Sequence, residues 1–242
     1  MLGIVVTAYR LPDVLIDRFI ECNLPALATR RGRFYLVTDS RKYLDFRREN
    51  IDAKISGDSG ENIQASESAK ISERENIREN IRALPCPEME IFAIGRTANI
   101  GIRQAIADGC AVICKTDIDC ILDDAALADI EAVRPGQGAA YRYWHVASPA
   151  PAGRAAARMD GKIMGTVALA AADWQAVGGY DERMDGYGYD DWDIVDRARR
   201  RGIKCNVLAA PRIYHIWHEA KHNRTTINPL RRAQNIALAT AK

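Results

Sequence analysis

The sequence predicts an α/β protein with a mixed, mostly parallel sheet flanked by helices in a single domain, and three observations carry that prediction. Short β-branched runs at Leu2 to Val6, Phe34 to Thr38 and from Ala111 onward alternate with stretches of helical period. The first strand, helix and strand are spaced as a parallel βαβ unit is. These runs end in polar clusters, as strands do in open α/β sheets that bind ligands beyond their carboxyl ends.

Taken in order, Leu2 to Val6 is a strand and Thr7-Ala8-Tyr9-Arg10 a polar turn. Pro12 opens a helix to about Ala28, with Val14, Leu15, Ile16, Phe19, Ile20 and Leu24 on its apolar face. Phe34 to Thr38 is a second strand, stopping at Asp39-Ser40 and leaving Thr7, Tyr9, Arg10 and Asp39 at the carboxyl ends. Residues 56 to 84 read as a charged helical excursion. The unit Arg-Glu-Asn-Ile occurs twice there, Ile71, Ile77, Ile81 and Leu84 give a thin apolar stripe, and Pro85 and Pro87 end it. Thr97 to Ala107 is a helix with Gly109 as the left-handed residue after it.

The strand AVICKTDIDCILDD follows, and side chains of period two put Asp117 and Asp119 on one side. Two carboxylates at a strand end suit a hard divalent cation that keeps positions open for phosphate oxygens. Next come an aspartate-capped helix (DDAALADIEAV), a strand from Gly138 to Val146, and a Pro/Ala/Gly-rich loop SPAPAGRAAARMDGK. A strand from Thr166 to Ala170 and a helix from Ala171 to Val177 lead through a glycine turn to a helix from Asp190 to Arg201. Asp190, Asp191 and Asp193 lie in its first turn, where N–H groups and the helix dipole favour anions; one carboxylate suffices for a cap. A strand from Lys204 to Leu208, the segment RIYHIWHEAKHNRT and a helical tail finish the chain.

The composition commits the chain to no polyanionic partner: 48% hydrophobic, 27% charged, net charge +2. No apolar run is long enough for a transmembrane segment or a signal peptide, and six cysteines without a Cys-x-x-Cys pair read as reduced thiols, so the expected location is cytoplasmic. His218-Glu219-Ala220-Lys221-His222 matches the zinc-protease pattern His-Glu-x-x-His, which needs a helix and a third ligand. Aromatic β-formers precede it and no acidic or histidine residue follows His222, so this rival is weak.

Arg96, Asn99 and Gly101, then Asp117-Ile118-Asp119, then MGTVAL and VGGYDERMDGYGYDDWD, and finally His215, His218 and Asn228-Pro229 occur in an order that resembles nucleotide-sugar glycosyltransferases of the GT-A (Rossmann-like) fold. The second half is similar to the C-terminal region of β-1,4-galactosyltransferases and to chondroitin-polymerase-type family 2 enzymes. Two departures stand out: Asp190 replaces a usual Glu, and Trp192 stands where galactosyltransferases often have a further aspartate. The resemblance implies one domain over 1–242, with a nucleotide-binding half (1–110) and a metal, acceptor and catalytic half (111–242).

The implied reaction is inverting transfer from a UDP-sugar to a hydroxyl, with Mn²⁺ (or Mg²⁺) as cofactor. Asp119, His215, His218 and Asp117 form the implied metal set. Thr7, Tyr9, Arg10, Asp39, Arg96, Asn99, Asp117 and Gly165 are the implied nucleotide-sugar contacts. Asp191 is the implied base, Asp190 its partner in orienting the acceptor, and Tyr187 and Trp192 stack on that acceptor. The acceptor expected is a glycan; a hydroxymethylated nucleic-acid base is the alternative. A domain that binds a nucleotide sugar or a glycan without turnover is the third reading, and it would release no UDP.

Overall fold

The computed structural model describes residues 1–28, 30, 32–45, 80–145, 158–186, 188–215 and 229–241. β1 (Leu2–Ala8) is buried along its length, and alternation sends its side chains to two layers. Ile4 and Val6 pack with Ile16, Phe19 and Leu27 of α1 (Asp13–Ala28), whereas Val5 faces the opposite cluster. β2 (Gly32–Thr38) and β3 (Ile81–Pro85) extend the sheet in parallel.

β3 corrects the expected helix over 56–84, because Ile81 and Leu84 pair with β2 as an edge strand. Pro85, its last residue, is tolerated at such an edge because no further strand needs its missing N–H. The rest of that excursion, 56–79, lies outside the described residues.

α2 (Ile94–Ala107) begins three residues before Thr97 and lies close on β1, since a Cβ at Gly101 would stand 2.5 Å from Val5 Cγ1. Gly109 follows it with φ 78°, the left-handed conformation expected of it. β4 (Val112–Asp117) and β5 (Cys120–Leu122) flank a turn at Ile118-Asp119. In α3 (Asp124–Glu131) the Asp123 carboxylate accepts from the Ala126 N–H at 3.0 Å, a cap worth about 1 kcal/mol.

Then come β6 (Gln137–His145), β7 (Arg158–Ala170), α4 (Ala171–Val177), α5 (Asp190–Arg200), β8 (Lys204–His215) and α6 (Pro229–Thr240). β7 takes up 158–162 of the stretch expected as a loop, because its backbone pairs with β6 as far back as Arg158. β8 likewise runs on to His215 instead of stopping at Leu208, held by β6 on one side and β5 on the other.

The eight strands lie in the order β3-β2-β1-β4-β7-β6-β8-β5. The first four are mutually parallel, β7 is antiparallel to both neighbours, β6 and β8 are parallel, and β5 is antiparallel to β8. α1 and α3 cover one face; Ile102 of α2, Trp174 of α4 and Ile194 of α5 pack on the other. The direction therefore changes between β4 and β7, and β4 ends in Asp117. Among the described residues no helix is long and apolar enough to cross a membrane.

Candidate active site

Parallel register brings Thr7 of β1 level with Val37 of β2 and Asp117 of β4, so Thr7, Tyr9, Arg10, Asp39 and Asp117 gather at one end of the sheet. The Asp39 carboxylate accepts from the Arg10 N–H at 3.0 Å, and Arg10 has φ 51°, so the two strand ends are tied through a turned backbone. Tyr9 is buried. Its hydroxyl donates to the Met89 carbonyl (2.6 Å) and accepts from the Met89 N–H (3.0 Å), while its ring stacks on Phe92 and meets the Arg10 guanidinium.

Asp117 holds two bonds of 2.7 Å: Oδ1 accepts from the Lys115 ammonium and Oδ2 from the Tyr143 hydroxyl. Gly165 on β7 lies against the same group, because a Cβ there would collide with the Tyr143 hydroxyl and Asp117 Oδ2. β4 stops at Asp117, so the alternation expected to continue to Asp119 ends there, and Asp119 instead sits in the turn. Asn23 of α1 anchors the strand beyond that turn, its amide donating to the Cys120 carbonyl and accepting from the Leu122 N–H. Asp119 Oδ2 then meets His215 Nε2 at 3.0 Å across the β5/β8 pair.

The other wall is the start of α5. Its preceding residue, Tyr189, has φ 78° and no capping side-chain bond, so neither Asp190 nor Asp191 serves as that helix's cap residue. Both are buried. Asp191 Oδ1 accepts from the Tyr180 hydroxyl (2.9 Å) and from Lys115 (3.4 Å). Asp190 Oδ2 is buried with no hydrogen-bond partner among the described residues. Asp193 is tied to Arg197 at 2.7 Å, and Arg197 also donates to the Val177 carbonyl, so this third carboxylate holds α5 to α4.

Burial pushes the Asp191 carboxyl up to about 7, with Lys115 opposing and Asp190 and Asp117 adding to the rise. Burial also raises Asp190, again against Lys115. Lys115 itself is raised, since Asp117, Asp191 and Asp190 outweigh a burial that alone would lower it.

Arg96 and Asn99, expected at the nucleotide sugar, are turned elsewhere. The Asn99 amide donates to the Tyr180 carbonyl and to Glu182 and accepts from the Tyr180 N–H. Arg96 donates to the Glu182 carbonyl and pairs with Asp185 at 3.2 Å. Both brace the loop between α4 and α5, because α2 packs directly beneath it. Trp192, expected on an acceptor, is half-buried against the apolar cluster under α5. Tyr187 and His218 lie outside the described residues, as does the whole His-Glu-x-x-His segment.

Sequence pattern assigns no role to Lys115, Tyr143 or Tyr180. Lys115 was legible as the one charge inside the apolar run AVICKT. Nothing local marked the two tyrosines, which reach the site from other elements.

Asp119 and His215 fit a divalent cation, since cis donor atoms about 2.1 Å from one ion stand about 3 Å apart, as this pair does. Among the described residues no group of three or more His, Cys, Asp or Glu forms a complete site.

A family model described as the N-terminal domain of galactosyltransferase matches residues 150–219. No curated protein matches the chain in sequence. In structure it is similar to TarS of S. aureus, with 13% identity and TM-score 0.59 over 99% of this chain and 39% of that one. It is similar to the mannosyltransferase PcManGT of Pyrobaculum calidifontis, solved with GDP-Man and Mn²⁺, with 14% identity and TM-score 0.60 over 99% and 63%. It is similar also to the catalytic domain of Drosophila β1,4-galactosyltransferase 7, solved with xylobiose, with 12% identity and TM-score 0.58 over 97% and 79%. The chain thus spans less than two thirds of the first two. The fold is the GT-A fold of nucleotide-sugar glycosyltransferases. Over residues 150–219 the sequence is similar to the galactosyltransferase family model.

Proposed function

We propose that this chain is a metal-dependent, inverting glycosyltransferase that moves a sugar from a UDP-sugar to a glycan hydroxyl. The observation that carries the reading is the buried Asp190–Asp191 pair facing Asp117, with one Asp190 oxygen lacking a partner among the described residues. Two carboxylates without a capping role, in a site that raises their affinity for protons, suit a base and its orienting neighbour.

In the transfer, the acceptor hydroxyl oxygen forms a bond to the anomeric carbon as the bond to the diphosphate oxygen breaks. The hydroxyl proton passes to Asp191, and the bonding electron pair leaves with UDP. Asp190 Oδ2 accepts from a hydroxyl of the acceptor and sets its approach. Tyr180 holds Asp191 in place through its 2.9 Å hydrogen bond. Tyr187 and Trp192 remain the residues proposed to stack on the acceptor.

Thr7, Tyr9, Arg10 and Asp39 hold the nucleotide, and Asp117 contacts its ribose. Asp119, His215 and His218 would hold the divalent ion, Mn²⁺ or Mg²⁺. When bound, the ion supplies Lewis-acid neutralisation of the charge that develops on the leaving diphosphate. The galactosyltransferase 7 complex with manganese, UDP-Gal and xylobiose supports the donor, ion and acceptor classes by similarity of fold. A nucleic-acid acceptor has no such support. We place the reaction in the cytoplasm, since the six cysteines include no Cys-x-x-Cys pair and Cys110, Cys114, Cys120 and Cys205 are buried.

The test is UDP release from a panel of UDP-sugars in Mn²⁺, with and without oligosaccharide acceptors, followed by mass analysis of the product. A domain that only binds releases none. Gly165→Ala checks the donor side, because its methyl displaces Tyr143 from Asp117. Its UDP affinity in Mn²⁺ is expected to fall by about tenfold, one lost charge-assisted hydrogen bond, as read by calorimetric titration; unchanged affinity would remove Asp117 from the donor contacts.

A further inference from the structure

Lys115 lies mid-way along the central strand β4, with its side chain 0% exposed. A buried ammonium is unfavourable unless its donors are all engaged, and an apolar side chain of similar length fills such a slot more cheaply. Here all three N–H donors have partners: Asp117 Oδ1 at 2.7 Å, the Gly165 carbonyl at 3.1 Å and Asp191 Oδ1 at 3.4 Å. The Tyr180 ring, whose hydroxyl also holds Asp191, lies 5.9 Å from the ammonium. One cation therefore joins β4, β7 and α5, elements that meet only through the sheet order and lie 50 and 76 residues away in sequence.

The two carboxylates it joins belong to opposite sides of the reaction as read above. Asp117 ends the donor strand, and Asp191 is the base on the acceptor side. We propose that Lys115 is a positioning residue for transfer, which fixes the direction of Asp191 relative to the donor anchored at Asp117. The inference rests on the proposed function and adds to it a residue that touches neither sugar nor nucleotide. A plain structural charge would stabilise the fold without acting through Asp191, and that difference is measurable.

The experiment uses the full chain in a double-mutant cycle of Lys115→Met and Asp191→Asn. Turnover is read as UDP released in Mn²⁺ from the best donor among UDP-galactose, UDP-glucose and UDP-N-acetylglucosamine, with xylobiose or water as acceptor. UDP affinity is measured in parallel. Lys115→Met is expected to lose about 10²-fold in kcat at saturating donor, within the range of a displaced base, beside a fall of about tenfold in UDP affinity from its lost bond to Asp117. The double variant is expected to be within about threefold of Asp191→Asn alone, because two residues that act as a unit are not additive.

Losses that multiply in the double variant, or a Lys115→Met enzyme with wild-type kcat beside an impaired Asp191→Asn, overturn the positioning role and leave the base assignment standing. Wild-type turnover by Asp191→Asn, or no turnover by the wild type with any donor, overturns the underlying reading and the inference with it. If Lys115→Met does not fold, the double variant, which removes the two charges together, is compared with Asp191→Asn directly. Equal turnover supports the role, and a further loss of about tenfold or more overturns it.

Discussion

Asp191→Asn is expected to lose about 10²- to 10⁴-fold in kcat, the usual effect of removing a positioned base. UDP and Mn²⁺ should bind it as they bind the wild type, because Asp191 lies on α5 and its bonds run to Tyr180 and Lys115. The wild-type pH profile carries the same assignment. As the proposed base Asp191 must be anionic, and its carboxyl is raised to about 7, so kcat should climb through pH 7 and level off above it. That acid limb should be missing from the residual activity of Asp191→Asn.

Stability should move the other way. The folded pKa is raised above the unfolded value of about 3.9, so the folded state binds more protons than the unfolded state between about pH 4 and 7. This group's contribution is thus present below pH 4 and lost as pH rises through 7. Asn carries no buried charge, so Asp191→Asn should melt no lower than wild type at pH 8. A wild-type kcat for this variant, or a product that keeps the donor's anomeric configuration, would end both the base assignment and the inverting mechanism.

Chelation is the second large effect. EDTA is expected to abolish transfer and Mn²⁺ to restore it, with Mg²⁺ less effective. Asp119→Ala should weaken metal-supported UDP binding and lower kcat/KM by about 10²-fold or more, the loss expected if the proposed carboxylate ligand is removed from a low-affinity ion. His215→Ala should act in the same direction, because its Nε2 lies 3.0 Å from Asp119 Oδ2 and would hold the same ion. Isothermal titration of UDP with and without Mn²⁺ reads both variants. Full activity in EDTA sinks the metal role, whatever the titrations show.

Much of the fold can be read residue by residue. The β-branched runs of β1, β2 and β4, the helix ending before Gly109 and the Asp123 cap follow local rules of period, conformation and hydrogen bonding. The acidic start of α5 is as local, since Asp190 and Asp191 adjoin a glycine-flanked turn in sequence. Such features depend on a few neighbouring residues, and one chain displays them in full.

Sheet order decided the rest. Ile81 to Pro85 carries too little pattern to declare itself a strand, and it becomes one because β2 offers a free edge. Asn99 turns toward Tyr180, 81 residues away, only because α2 lies beneath that loop. Tyr143 reaches Asp117 because β6 and β4 both flank β7, with Gly165 leaving room between them. Sequence alone identified the α/β class and its carboxylates. Only tertiary structure joined Asp117 to Asp191 through the buried Lys115, because a charge inside an apolar strand has no local partner that identifies what it will meet.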